Sequence, residues 1–197
     1  QEADITAAIH KAAAVVIGPG LGQEAGAERL LDLVLQEAKK LPELPVVIDA
    51  DGLNLLAKKR VYSKLGRQYV LTPHLREMSR LSGKSVQEIA DDMTSAVMGQ
   101  QAGATIVLKD ARTLVSDGDW LYINLSGNSA LSTGGSGDVL SGMIGGLLAQ
   151  GCTQRTAATL AVYMHGLTAE QYCESAPPHC MLARDILEMI PKIGGNS

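Results

Sequence analysis

Alternating strand and helix patterns, with polar residues gathered just past the strand ends, predict an α/β fold. Its sheet is expected to be mostly parallel, with helices on both faces. The first observation is a set of short, continuous apolar runs, Ala12-Ala-Ala-Val-Val-Ile17, Val46-Val-Ile48, Tyr69-Val-Leu71 and Thr105-Ile-Val-Leu108. Such runs suit strands buried on both faces. The second is the helical periodicity between them. The third is the chemistry just past each run: glycines, carboxylates, a histidine and a lysine, at the sheet edge where open α/β folds bind ligands.

In chain order, residues 2–11 read as a helix leading directly into the first strand, 12–17. Gly18-Pro-Gly-Leu-Gly22 then turns into a helix over about 24–40, with Leu30, Leu31, Val34, Leu35 and Ala38 on one side. The second strand ends in Asp49-Ala-Asp51-Gly-Leu-Asn54, and the third in Thr72-Pro-His74-Leu-Arg-Glu77. Helices are expected over 77–81 and 85–101, the second opened by a Ser85/Glu88 capping box. The fourth strand ends at Lys109. Residues 112–115 and 120–124, separated by Ser116-Asp-Gly-Asp119, predict a hairpin.

Next comes Gly127-Asn-Ser-Ala-Leu-Ser-Thr-Gly-Gly-Ser-Gly-Asp138. It feeds a helix whose apolar stripe is Val139, Leu140, Met143, Ile144, Leu147 and Leu148, with Gly151 at its C-terminal cap. Gly142, Gly145 and Gly146 each cost this helix about 1 kcal/mol relative to Ala, so close packing is expected on their face. A helix over 153–172 should turn Ala157, Leu160, Ala161, Met164, Leu167 and Thr168 inward. Pro177-Pro178 breaks it, and a last helix spans 181–190. With no repeat, low-complexity stretch or linker, residues 1–197 read as one domain.

Composition narrows the function. The 197 residues are 46% hydrophobic with a formal net charge of −4, and contain 3% aromatics and no Phe. No basic run or aromatic platform suits nucleic acid. The longest apolar runs are too short to cross a bilayer, and no signal peptide is evident. Cys152, Cys173 and Cys180 are odd in number and form no Cys-x-x-Cys pair, which fits a reducing, cytoplasmic setting. His179 and Cys180 near Cys173 are too few for a metal site, and the metal, if any, is left unassigned.

The central loop is the candidate anion site, because a flexible glycine-rich segment entering a helix exposes N–H groups at the positive end of the dipole. Asp138 stands at that junction, either as an ordinary N-cap or as a general base within reach of a substrate hydroxyl. Lys109, at a strand end, is either a solvated surface charge or a point charge for phosphate. Arg112 and Thr113 could supplement it. Gly18 to Gly22 form either a simple tight turn or a backbone that a ligand approaches closely. Asp49, Asp51 and Asn54 either cap the next helix or line the cleft. His74 and Glu77 are either loop and dipole partners or site residues. Together, Lys109, the 132–137 loop and Asp138 suit phosphoryl transfer.

Several blocks resemble, in order, those of the ADP/ATP-dependent NAD(P)H-hydrate dehydratases, metabolite-repair enzymes with a ribokinase-like fold. These are Val-Ile-Gly-Pro-Gly-Leu-Gly22, Val-Val-Ile-Asp-Ala-Asp-Gly-Leu-Asn54, Leu-Thr-Pro-His74 with Glu77, Val-Leu-Lys109 with Thr113, and the run from Gly127 through Gly151. The resemblance covers nearly the whole chain. It implies that Gly20, Gly22, His74 and Asp138 contact the hydrated nicotinamide nucleotide, NADHX or NADPHX. It implies an adenine nucleotide on Lys109, Asp110, Ala111, Arg112 and Thr113 and on Gly134, Gly135 and Gly137. ADP or ATP would phosphorylate the C6 hydroxyl of the S-form hydrate, Asp138 would take its proton, and loss of phosphate would restore NAD(P)H. Mg²⁺, a homo-oligomer (a tetramer among the options) and a fused or paired epimerase domain are further implications.

This sequence departs from the family pattern at Asp110, where Gly is usual, at Ser136, where Thr is common, and at Ser129-Ala-Leu131, where Pro-Gly-Met is common. The family's preceding glycine-rich strand–loop–helix is not found before Glu2, so the chain reads as N-terminally truncated. A kinase of a small vitamin-precursor alcohol, or an inactive nucleotide-binding fragment, are the alternative readings.

Overall fold

The computed structural model describes residues 2–98 and 103–193. A six-stranded sheet runs in chain order, β1 (Val15–Ile17), β2 (Val46–Ile48), β3 (Tyr69–Leu71), β4 (Thr105–Leu108), β5 (Leu114–Ser116) and β6 (Leu121–Ile123). The first four strands are parallel. β5 and β6 add on antiparallel as the expected hairpin, with Val107 opposite Val115 and Val115 opposite Tyr122. Arg155 ties the hairpin turn down, its Nε donating to Asp117 Oδ2 at 2.9 Å while the guanidinium lies 5.0 Å from the Trp120 ring centre.

Alternation along the strands divides the interior in two. Ile17, Ile48, Leu71, Ile106 and Leu108 pack under α1 (Glu2–Lys11), α2 (Ala25–Lys40), α3 (Ala50–Lys59), α4 (Leu75–Ser82), α5 (Val86–Asp91) and α6 (Met93–Met98). Val47, Val70, Val107 and Val115 face α7 (Ser136–Ala149) and α8 (Gln154–Cys173). Ile186 of the last helix, α9 (Ala183–Met189), joins a smaller cluster with Ala130, Ala169 and Met181.

Four expectations need correction. The first strand is not buried on both faces: β1 lies at the sheet edge with one partner, and Val16 is 40% exposed. The helix expected over 85–101 breaks at Asp92, whose backbone leaves the helical region (φ −143°, ψ 73°) and whose carboxylate accepts from Ser95 N to start α6. Residues 99–101 of that expectation lie outside the described residues. On α8 the expected Ala157, Ala161 and Thr168 are buried, but Leu160 is 38% exposed, and Ala158, Val162 and His165 widen the inward face instead. Small side chains let α8 lie close to the sheet, and the buried stripe follows them rather than the largest residues.

The fourth correction concerns α7. A Cβ on Gly145 would come within 2.4 Å of Val16 Cγ2, so that glycine does serve close packing, but Gly142 and Gly146 face open space. The helix ends at Ala149 with Gln150 as its cap, and Gly151 terminates it as expected: in the left-handed conformation (φ +90°) its N donates to Leu148 O at 3.0 Å, while Cys152 N donates to Leu147 O at 3.2 Å.

Gly142→Ala and Gly146→Ala should therefore each stabilise the fold by about 0.5–1 kcal/mol, since the helix gains propensity with no new clash. Gly145→Ala should instead destabilise it by roughly 1 kcal/mol through overpacking against Val16. Urea unfolding of the three variants checks the ordering.

Candidate active site

The β4 strand passes its register on to the site: Lys109 N donates to Pro73 O at 2.8 Å, and His74 bridges Lys109 just beyond the strand ends. Lys109 Nζ then reaches across the end of β3 to Asp49 Oδ1, 2.8 Å away. Asp49 is 1% exposed and starts α3 as its N-cap, accepting from Ala50 N at 2.8 Å. Its other oxygen accepts from Ser141 Oγ on α7. Gly18 makes room for this arrangement: with φ +126°, it sits where a Cβ would come within 1.8 Å of Asp49 O.

The loop before α7 is the second half of the site. Asn128 N-caps a short 3-10 turn over Ser129–Ser132, and Gly135, at φ +85°, leads into α7. α3, α4, α5 and α8 carry a side-chain cap, whereas α7, like α2 and α9, has none. The N–H groups of Gly137 and Asp138 have no acceptor among the described residues. Ser136, a residue type that often caps, faces inward instead, with Oγ and O both 3.1 Å from His165 Nε2. The position a Cβ would take on Gly137 is 3.3 Å from Lys109 Nζ. The ammonium thus sits beside the open start of α7, where an anion would meet both.

His74 is the N-cap of α4. Its Nδ1 accepts from Arg76 N and Glu77 N at 3.1 and 3.2 Å, and His74 N donates in turn to the Glu77 carboxylate at 2.8 Å. Since Nδ1 accepts, the ring proton of the neutral form belongs on Nε2. Glu77 is thus a capping-box partner of His74 and not merely a dipole partner.

A cleft of about 780 Å³ opens beside these groups, lined by His74, Lys109, Asp110, Ala111, Thr113 and Gly137 among the residues singled out from sequence. Arg112, Gly134, Gly135 and Asp138 are exposed near it but do not line it, and Gly20 and Gly22 belong to the β1–α2 turn. That turn is fastened by Gly22 N donating to Asp51 Oδ2 at 3.0 Å. Asp49, Asp51 and Asn54 do not line the cleft either; Asn54 Oδ1 accepts from Arg80. Asp138 occupies the third position of α7 and not the cap, is exposed, and makes no hydrogen bond or ion pair among the described residues.

Sequence reasoning missed His165. It lies on the cleft wall, and burial together with the nearby Lys109 charge pushes its pKa down from 6.5 to about 4, against a hydrogen bond with Ser136 that raises it. The available signal was its spacing from Ala157, Ala158 and Ala161, which puts it on the buried stripe of α8.

A sequence model of the NAD(P)H-hydrate dehydratase family matches residues 1–192. The chain belongs to this family. The ADP-dependent (S)-NAD(P)H-hydrate dehydratase of Neisseria meningitidis is 44% identical over 167 residues, covering 82% of this chain and 55% of the relative. The Bifunctional NAD(P)H-hydrate repair enzyme Nnr of Coxiella burnetii is 38% identical over 93% of this chain and 36% of its own length. The chain thus spans about half, or a third, of the relatives it matches.

Among solved structures, the ADP/ATP-dependent NAD(P)H-hydrate dehydratase from Bacillus subtilis, co-crystallised with ATP/Mg²⁺, superposes with a TM-score of 0.76 at 30% identity, covering 91% of this chain and 63% of that one. A ribokinase-like superfamily protein from Enterococcus faecalis superposes at 0.85 and 30% identity, over 97% and 66%. The fold is therefore ribokinase-like, as the resemblance implied.

A histidine held neutral in the fold but free to protonate when unfolded costs stability on acidification. Between about pH 6.5 and about pH 4 the unfolded chain binds the extra proton and the folded chain does not. Over that window the wild type should lose up to about 1.4 kcal/mol per pH unit relative to His165→Gln. Urea midpoints of both proteins across that range measure the difference.

Proposed function

We propose that this domain dehydrates the S-form of NAD(P)H hydrate to NAD(P)H at the expense of ADP, yielding AMP and phosphate. One observation carries the reading: an uncapped α7 start with Lys109 Nζ beside Gly137 and the free carboxylate of Asp138 one residue on. A terminal phosphate over that turn would accept from the exposed N–H groups and meet the Lys109 charge. The rest of the adenine nucleotide would follow Lys109 to Thr113 and the cleft. The hydrate would lie toward His74, Asp138 and the glycines Gly20 and Gly22.

Asp138 takes the proton of the C6 hydroxyl as its oxygen attacks the phosphorus, and the bond to the AMP oxygen breaks. Phosphate then leaves C6, driven by the ring nitrogen's lone pair, and loss of a proton from C5 restores the double bond. Phosphorylation matters because hydroxide is a poor leaving group and phosphate a good one.

No group of three His, Cys, Asp or Glu side chains among the described residues could hold a metal ion. A Mg²⁺ would therefore suit this site as a passenger of the nucleotide, held by phosphate and water with Asp138 as the nearby protein carboxylate. It would neutralise phosphate charge. No helix among the described residues is long and apolar enough to cross a membrane. Cys152, Cys173 and Cys180 are all free thiols, which suits a reducing, cytoplasmic setting. A homo-oligomer and a fused or paired epimerase domain complete the proposal.

Asp138→Ala should keep ADP binding within about twofold while turnover falls at least a hundredfold, the usual scale for losing a general base. Calorimetry and recovery of reduced-nicotinamide absorbance measure the two. A variant turning over at near wild-type rate would remove Asp138 as the base. Accumulation of a stable phosphorylated alcohol would mark a kinase, and failure of the wild type to bind ADP would mark an inactive fragment.

A further inference from the structure

The proposed chemistry uses Lys109 but leaves Asp49 without a task. Helix capping alone does not explain it. A cap needs one acceptor oxygen, and a neutral Asn or Ser caps as well as Asp. Asp49 instead buries a full carboxylate, and a buried charge is costly unless paired and hydrogen-bonded. Three donors meet it: Ala50 N, Lys109 Nζ and Ser141 Oγ.

Those donors come from three different parts of the site. Ala50 opens α3 and holds a left-handed backbone (φ +47°), a conformation a residue with a Cβ resists. Lys109 ends β4. Ser141 lies on α7, five residues beyond Ser136, and also donates to Gly137 O at 3.1 Å. One carboxylate thus joins the lysine to the very helix whose start would hold the anion. Lysine's long, flexible stem does not fix its own ammonium. Here its position beside Gly137 is fixed from outside.

We propose that Asp49, oriented by Ser141, is the positioning residue of the phosphate subsite, holding the Lys109 ammonium where the transferred phosphate of the nucleotide arrives. This rests on the nucleotide reading above. Lys109 is 20% exposed along its side chain and lines the cleft, so it can keep Asp49 and still present N–H groups to phosphate. Preorganisation of this kind lowers the cost of binding.

The test is nucleotide binding by Asp49→Asn, alone and combined with Lys109→Met. Asn preserves the cap to Ala50 but removes the counter-charge. Affinity for ADP should fall about tenfold, the scale of one charge-assisted hydrogen bond, with AMP affinity unchanged and KM for ADP rising more than kcat falls. In the Lys109→Met background, Asp49→Asn should weaken ADP binding no further, because the aspartate acts through the lysine. Ser141→Ala, which loosens Asp49 without touching the pair, should shift ADP affinity in the same direction by roughly two- to threefold.

Should Asp49→Asn fail to fold, Ser141→Ala carries the test alone, and unchanged ADP affinity there overturns the proposal. Equal loss of ADP and AMP binding, the same loss with and without Lys109, or tighter ADP binding by Asp49→Asn also overturns it, the last showing that the aspartate only masks the lysine's charge. A wild-type chain that binds no ADP overturns the nucleotide reading itself, and this proposal with it.

Discussion

The ion pair between Asp49 and Lys109 joins the tips of two strands that are 60 residues apart in sequence and separated by β3 in the sheet. Around it the chain has to be small. Gly18 passes under Asp49 O where no Cβ fits, Gly52 packs against Ile17 O and Ile48, and Gly137 comes close to the ammonium. These glycines sit in three separate sequence blocks: Gly18 and Gly52 let the backbone close up around the start of α3, and Gly137 lies beside the ion pair itself. The pair is poor evidence for stability, since desolvation offsets much of its attraction. What it fixes is where a positive charge stands relative to the start of α7.

That start is built to remain open. Four other helices close their N-termini with a side chain, Asp49, His74, Ser85 and Thr153 each accepting a backbone N–H, while α2 and α9, like α7, carry no such cap. At α7 the nearest hydroxyl, Ser136, is turned toward His165, and Gly135 has no side chain to offer. His165 stays neutral because it is buried beside Lys109. A protonated ring would add a second cation against the first. The histidine therefore ties the loop to α8 without changing the charge that an arriving anion meets.

Much of this is legible in the sequence, and the failures have physical causes. The strand blocks, the hairpin and the Ser85/Glu88 box depend on local patterns that tertiary context does not override. β1 misleads because an apolar run looks the same in a central and in an edge strand, and nothing in the run shows that one face leaves Val16 40% exposed. α8 misleads because apolar residues in its middle, Leu160 to Met164, lie on more than one face, so side-chain size suggests Leu160 inward while packing on the sheet buries Ala158 and Val162. His165 escapes notice because one histidine within an alanine-rich helix has no motif, and its meaning comes from Ser136, 29 residues away. Asp49 reads from sequence as a cap or a cleft residue. It is a cap whose carboxylate also accepts from Lys109 and Ser141, contacts that no spacing rule could predict.

The environments of the two carboxylates also decide which one suits proton transfer. Asp49 is closer to Lys109, but its oxygens already accept from three donors and it is sealed from solvent, so taking a substrate proton would break its own network. Asp138 lies one residue beyond Gly137, exposed and without a partner among the described residues, and can approach a hydroxyl without giving up any contact. One acid is fully engaged and the other free, a division that suits holding in the first and proton transfer in the second. Asp110, where the family commonly has glycine, puts a carboxylate on the cleft wall itself, but on an exposed turn after Lys109, where water screens it. Its charge bears on the start of α7 less than its closeness in sequence to Lys109 suggests, because the Lys109 ammonium is directed toward Asp49 and Gly137.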